Sequence, residues 1–167
     1  MDDRVLPLIE QIKLKISEDT VAEVYAAEYP PVPLAEIEVA EQILGFRLPE
    51  LLRVLYIQVA NGGFGPYDGI VGLAGGWSTN NGDGETLLEL YQTYQLGFPF
   101  FPLWQWPLAL LPICEDGYGV VCLDCSQPES PVISVQFETP DAKGLGWELR
   151  LRQAAPSFQN WLEVWGK

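Results

Sequence analysis

Leu110-Leu111-Pro112-Ile113-Cys114-Glu115-Asp116-Gly117-Tyr118-Gly119-Val120-Val121-Cys122-Leu123 holds two apolar runs separated by four turn-forming residues. Each run is of strand length, and Asp116-Gly117 supplies the backbone freedom that a tight reversal needs. The stretch therefore predicts an antiparallel hairpin, Leu110–Cys114 against Gly119–Leu123. Downstream, Val132 to Phe137 reads as a further strand, introduced by Pro128 and Pro131. Trp147, Leu149 and Leu151 alternate with Glu148, Arg150 and Arg152, the period of a half-buried strand. Upstream, Ile70-Val71-Gly72-Leu73 predicts a short strand, the polar run 78–84 a surface loop, and Thr86 to Leu96 a short helix ended by Gly97.

Outside this β-rich half the period changes to that of helices. Val5 to Tyr29 reads as helix, with Leu8, Ile12 and Ile16 at fourfold spacing and Val21, Val24 and Tyr25 continuing after Ser17-Glu18-Asp19-Thr20. Pro30-Pro31-Val32-Pro33 ends it. A helix over Leu34–Leu44 follows, closed by Gly45. Pro49 opens a third over 50–60, apolar nearly all round and therefore central, and Asn61-Gly62-Gly63 stops it. After Pro156-Ser157, Phe158, Trp161, Leu162 and Trp165 share one face of a last helix and are read as core. Helices, then hairpins, then a helix define an α+β fold, a single antiparallel or mixed sheet flanked by helices, in one domain spanning 1–167.

Charge is distributed unevenly. Between Arg53 and Lys143 lie 89 residues without Lys, Arg or His, carrying ten carboxylates, in a chain of formal net charge −14. Such a block repels phosphate backbones and anionic lipid and attracts cationic partners. Nucleic acid and membrane are accordingly not expected as partners. Histidine is absent, which removes a Ser-His-Asp triad, a Cys-His pair, a His-ligated metal and a histidine base. The uncharged run Tyr91–Cys114 contains Pro99, Pro102, Pro107 and Pro112 and lacks flanking cations, so it is not read as a membrane span. Three cysteines and an N-terminus without a basic then apolar pattern predict reduced thiols and a cytoplasmic protein.

The ordered set of signals resembles the SUKH superfamily, which includes the fungal cell-wall-synthesis regulators of Smi and Knr type and many bacterial toxin-immunity proteins. The residues that carry the resemblance are Ile37-Glu38-Val39-Ala40-Glu41-Gln42-Ile43-Leu44-Gly45 with Leu48-Pro49; Asn61-Gly62-Gly63; Trp106-Pro107 leading to Leu111-Pro112-Ile113; Glu115 to Asp124; and Ser157-Phe158-Gln159-Asn160-Trp161-Leu162. It covers 34–165, leaving 1–33 as an N-terminal helical segment. It implies a non-catalytic protein-binding domain, foremost an immunity protein that neutralises a cationic, nuclease-type toxin. A regulatory interaction scaffold of the same fold is the alternative, and a carboxylate-based carbohydrate-processing enzyme the third reading.

The candidate partner-binding residues are Glu115, Asp116, Tyr118, Asp124, Asp83, Glu85 and Trp77. Glu115 and Asp116 also fit plain turn chemistry. As neighbours on a strand they point to opposite faces, which disfavours a catalytic pair. Asp124 fits a side-chain bond to the following turn as well as a contact. Asn81 to Glu85 fails the calcium-loop template, since Leu90 stands where the bidentate carboxylate belongs. Cys122-Leu123-Asp124-Cys125 is a lone CxxC at a strand end, short of ligands for zinc and misplaced for redox work. No catalytic residue, metal or cofactor is expected. Trp104 and Trp106 would share one side of an extended segment, with burial favoured over a groove.

Overall fold

The computed structural model describes residues 4–97, 105–138 and 148–167. Six α-helices and four strands run in the order α1 (Val5–Glu18), α2 (Thr20–Glu28), α3 (Leu34–Leu44), α4 (Glu50–Gln58), α5 (Leu87–Gln95), β1 (Leu110–Glu115), β2 (Gly119–Asp124), β3 (Val132–Glu138), β4 (Glu148–Ala155) and α6 (Phe158–Gly166) among these residues. The strands form one antiparallel sheet in the order β1-β2-β3-β4. The expected α+β class and the hairpin are both present, with Leu111 opposite Leu123 and Glu115 opposite Val120.

The sheet is a central layer. Val120 and Cys122 of β2 face one side, Val121 and Leu123 the other, and all four are buried. On the first side Tyr94 of α5 stacks on Phe137 of β3 at 6.2 Å and meets Trp106 at 4.4 Å. The Trp106 indole donates to the Leu110 carbonyl at 2.6 Å. Burial of Trp106 is thus as expected, while Trp104, Trp147 and the carboxylate of Asp141 lie outside the described residues. β4 departs from expectation. Leu151 is 49 % exposed, and Arg150, Arg152 and Gln153 are exposed with it. An edge strand has one flank without a partner, so alternation of residue type did not guarantee burial.

The N-terminal helical reading is corrected at one point. Val5–Tyr29 is two helices, because Asp19 takes an extended conformation and caps α2, its Oδ1 accepting from Val21 N at 2.9 Å and Ala22 N at 3.2 Å. α1 buries Leu8, Ile9, Ile12 and Ile16 and packs on α6. α2 buries no residue fully. The other helices stand where periodicity put them. α5 carries a full capping box, Thr86 with Glu89, which holds the Glu89 carboxyl below its ordinary range.

Ile70–Leu73 is not a strand. Val71 N donates to Ile113 O of β1 at 2.8 Å, but its neighbours bond into loops: Ile70 N to Phe64 O, Gly72 N to Trp77 O. The segment folds around Asn61. Asn61 N donates to Tyr29 O at 2.9 Å, its carbonyl accepts from Trp77 N at 2.9 Å, and its Oδ1 accepts from Leu73 N at 2.7 Å. A Cβ at Gly72 would lie 2.1 Å from Asn61 O, and one at Gly62 would lie 2.5 Å from Gly72 N. Only glycine admits such an approach.

On the α3–α4 side, Arg53 is buried and its Nε lies 3.2 Å from Glu41 Oε1, which also accepts from Leu48 N at 2.9 Å. Glu50 adds a second carboxylate at 3.3 Å from Arg53 Nη1. These carboxylates balance the charge of a cation that burial would otherwise penalise, while Arg53 Nε itself makes no hydrogen bond.

Asn61→Ala is expected to lower stability by about 2 kcal/mol, since it strands the buried Leu73 amide. Gly72→Ala should cost more, since backbone would have to move to admit the methyl group. Chemical denaturation of the two variants checks this. A loss below about 0.5 kcal/mol in both would remove Asn61 from its structural role.

Candidate interaction surface

The β1–β2 turn closes on its own chemistry. Asp116 Oδ1 accepts from Tyr118 N at 2.9 Å, an Asx-type turn, and Gly117 takes a positive φ of 83°. The turn thereby extends Tyr118 into solvent, 78 % exposed. The expected turn chemistry and an exposed aromatic coexist in the same four residues.

Two other segments arrive at this end of the sheet. The loop before α5 carries Asp83, exposed, and Glu85, half-buried, whose Oε1 accepts from the Thr93 hydroxyl. The Pro66–Gly69 turn, closed by Gly69 N to Pro66 O at 3.1 Å, carries Tyr67 and Asp68. Their proximity shows in the ionisation of Glu115. Burial raises its pKa above the ordinary glutamate value, and the carboxylates of Glu85 and Asp68 raise it further. Tyr67 is likewise raised, by partial burial and then by Asp116, with Arg152 of β4 opposing. Asp68, Glu85, Glu115 and Asp116 are therefore neighbours, and none of them is in an ion pair among the described residues. Arg47 and Arg53 pair instead with Glu50 and Glu41. No three carboxylates or thiols among the described residues are placed to hold a metal ion.

Two of the seven candidates stand apart. Asp124 ends β2, opposite Leu110, about 17 Å along the strand from the turn at roughly 3.4 Å per residue. Burial opposes its ionisation, but bonds from the Ser126 hydroxyl and amide and from Gln127 Nε2 win and hold its pKa low. It ties down the following turn. Trp77 is buried, 3 % exposed, with its ring 4.4 Å from Tyr25 of α2 and 5.9 Å from Tyr29 just after it, and its indole donates to Asp68 O at 2.9 Å. Its sequence context, a glycine pair before a polar loop, gave no sign of the helix that covers it. Trp77 acts on this surface indirectly, by holding the Asp68 turn.

Tyr67 and Asp68 were not among the candidates. Tyr67 is 61 % exposed and has a positive φ of 58°, which a bulky L residue rarely adopts. The signal available in the sequence was glycine density: four of the eight residues 62–69 are glycine. The environment of the three thiols disfavours the thiolate form. Burial pushes Cys114 and Cys122 well up, and Cys125 to about 12.

A family model, the SMI1 / KNR4 family (SUKH-1), matches residues 31–164. The chain belongs to this family, as its motifs implied. No curated protein matches the chain. The match begins after α2, so α1 and α2 precede the family segment. No helix among the described residues is long and apolar enough to cross a membrane.

The raised Glu115 pKa has a determinate sign. A carboxyl whose folded pKa exceeds its unfolded value binds more protons when folded, so stability is lost as pH rises from about 4.5 through the raised value. Glu115→Gln is expected to melt above the parent at about pH 8 and to match it at about pH 4. A melting difference that stays constant between these limits would contradict the raised pKa of Glu115.

Proposed function

We propose that this protein is a cytoplasmic, non-catalytic immunity protein that neutralises a cognate toxin by covering its cationic active surface. One observation carries the reading: three separate segments bring Asp68, Glu85, Glu115 and Asp116 to one end of the sheet beside the exposed rings of Tyr67 and Tyr118. Family membership supports it, since protein binding is what the SUKH resemblance implies.

The physical rationale is complementarity. A nuclease-type toxin presents lysines and arginines to hold phosphate. Clustered carboxylates repel one another when the surface is free, and at Glu115 this repulsion adds to the larger effect of burial. A cationic partner relieves that repulsion, so association gains both the new attraction and the lost strain. The tyrosines add contact area with little conformational entropy to lose. Catalysis finds less support. Asp116 Oδ1 is engaged in its own turn, and the cavity beside the cluster is lined by Asp68 but by neither Glu115 nor Asp116.

The test is capture kinetics. The partner is isolated by pull-down from the native organism, and its association is measured against the parent and the triple variant Asp83→Lys, Glu115→Lys, Asp116→Lys. All three positions are partly or fully exposed, so the variant should fold. Association of the parent is expected to fall about tenfold from low to physiological salt, where screening shortens to about 8 Å. The triple variant should associate about tenfold slower at low salt and lose most of that salt dependence. A parent rate independent of salt and equal to that of the variant would contradict the proposal.

A further inference from the structure

Beside the carboxylate cluster lies a cavity of about 360 Å³. This is near the lower end of the range for ligand pockets, roughly 300–1,000 Å³. Its walls come from two sources. The N-terminal segment supplies Asp19, at the junction of α1 and α2, and Tyr25 of α2; the family segment supplies Tyr67, Asp68 and Trp77, and Trp165 of α6 closes one side. It is thus a feature of the two N-terminal helices added to the family domain, since the match starts at residue 31. Asp68 belongs both to this cavity and to the cluster that raises Glu115.

The lining has the composition of a cation receptor. Five aromatic residues, Tyr25, Phe64, Tyr67, Trp77 and Trp165, line the space, and ring faces attract cations. Asp19 keeps one carboxylate oxygen beyond the Oδ1 that caps α2. Asp68 is exposed at the rim. The cavity contains one cation of its own, Lys15, and it is already engaged. Its Nζ lies 4.9 Å from the Trp165 ring centroid and donates to the Trp165 carbonyl. That contact fixes the α1–α6 wall and leaves the Tyr25, Tyr67 and Asp68 side as the seat. Tyr67 borders this side with the left-handed backbone described above, and such conformations gather where a loop is held for binding. Gly63 and Gly69, also at positive φ, carry the backbone between Tyr25, Trp77 and the turn.

We infer that this cavity seats a single arginine side chain of the protein partner, its guanidinium against the aromatic wall and paired with Asp68. Arginine fits better than lysine because its planar, weakly hydrated group both stacks on rings and forks to a carboxylate. The inference deepens the proposed function and rests on its premise of a basic protein partner. It assigns the N-terminal helices a role in choosing that partner: the acidic hairpin end attracts any cationic protein, and the cavity accepts only one that projects an arginine at the right place.

The probes are three tripeptides, acetyl-Gly-Arg-Gly-amide and its citrulline and lysine counterparts, titrated into the full chain. The indole N–H resonances of Trp77 and Trp165 report occupancy. The arginine peptide should shift the Trp77 signal saturably, citrulline should not, and lysine should bind at least fivefold more weakly. Asp68→Asn, a change at an exposed side chain, should weaken the arginine peptide at least fivefold with a melting temperature no lower than the parent's. Absence of a saturable shift, equal binding of citrulline, or an Asp68→Asn variant that binds as well as the parent would each overturn the inference. Its failure is read in the peptide titration. Failure of the proposed function is read separately, in the salt dependence of partner capture.

Discussion

Asn61 is the residue on which the arrangement depends. Its amide, carbonyl and side-chain oxygen each hold a different segment: the end of α2 at Tyr29, the chain at Trp77, and the chain at Leu73. These bonds are buried, where an unpaired group costs more than a pair gains. They also demand that Gly62 and Gly72 lack side chains, since a Cβ at either would meet backbone within 2.5 Å. The constraint is local in sequence but long in reach. It docks the N-terminal helices onto the domain through Tyr29, and it places Trp77 beneath the Asp68 turn.

From that anchor the candidate surface follows. Trp77 holds the Asp68 carbonyl at 2.9 Å, so the turn bearing Tyr67 and Asp68 cannot drift from the core. Val71 ties the same stretch to β1 through Ile113. The β1–β2 turn then emerges beside it, with Glu115 and Asp116 at its start. The carboxylates are thus forced together by packing rather than by mutual affinity. Burial first, and then repulsion from Glu85 and Asp68, disfavours the charged form of Glu115, a local cost that core burial elsewhere offsets.

Much of the fold was legible in the residues. Glu115-Asp116-Gly117-Tyr118 announced a hairpin because aspartate and glycine meet a definite backbone requirement. α3 and α6 showed their buried faces through helical periodicity and α4 through its apolar circumference, and α6 buries Phe158, Trp161 and Leu162 accordingly. The failures share a cause: each depended on a contact from a distant segment. Asp19 reads as one more polar residue of a helix until its side chain is seen capping the next one. Ile70–Leu73 has strand composition, but Asn61 and Trp77 draw its amides into loops. Trp77 reads as a loop aromatic because α2, which covers it, lies some fifty positions away in the chain. For the site, the hairpin and the Glu85 loop were legible from charge and turn composition. Asp124 was included because charge says nothing of which strand end a residue occupies. Tyr67 and Asp68 were missed because a glycine-rich stretch marks backbone contortion without saying what it presents.

The central claim is that the partner seats on the end of the sheet formed by the Asp68 turn, the Glu85 loop and the β1–β2 turn. Amide hydrogen exchange of the chain, alone and with its captured partner, tests this most directly. Protection on binding is predicted at residues 64–69, 80–86 and 115–119, with the turn after Asp124 and the β4 flank unchanged. Protection confined to 124–130 or to β4, with residues 64–69 and 115–119 exchanging as in the free protein, would contradict it.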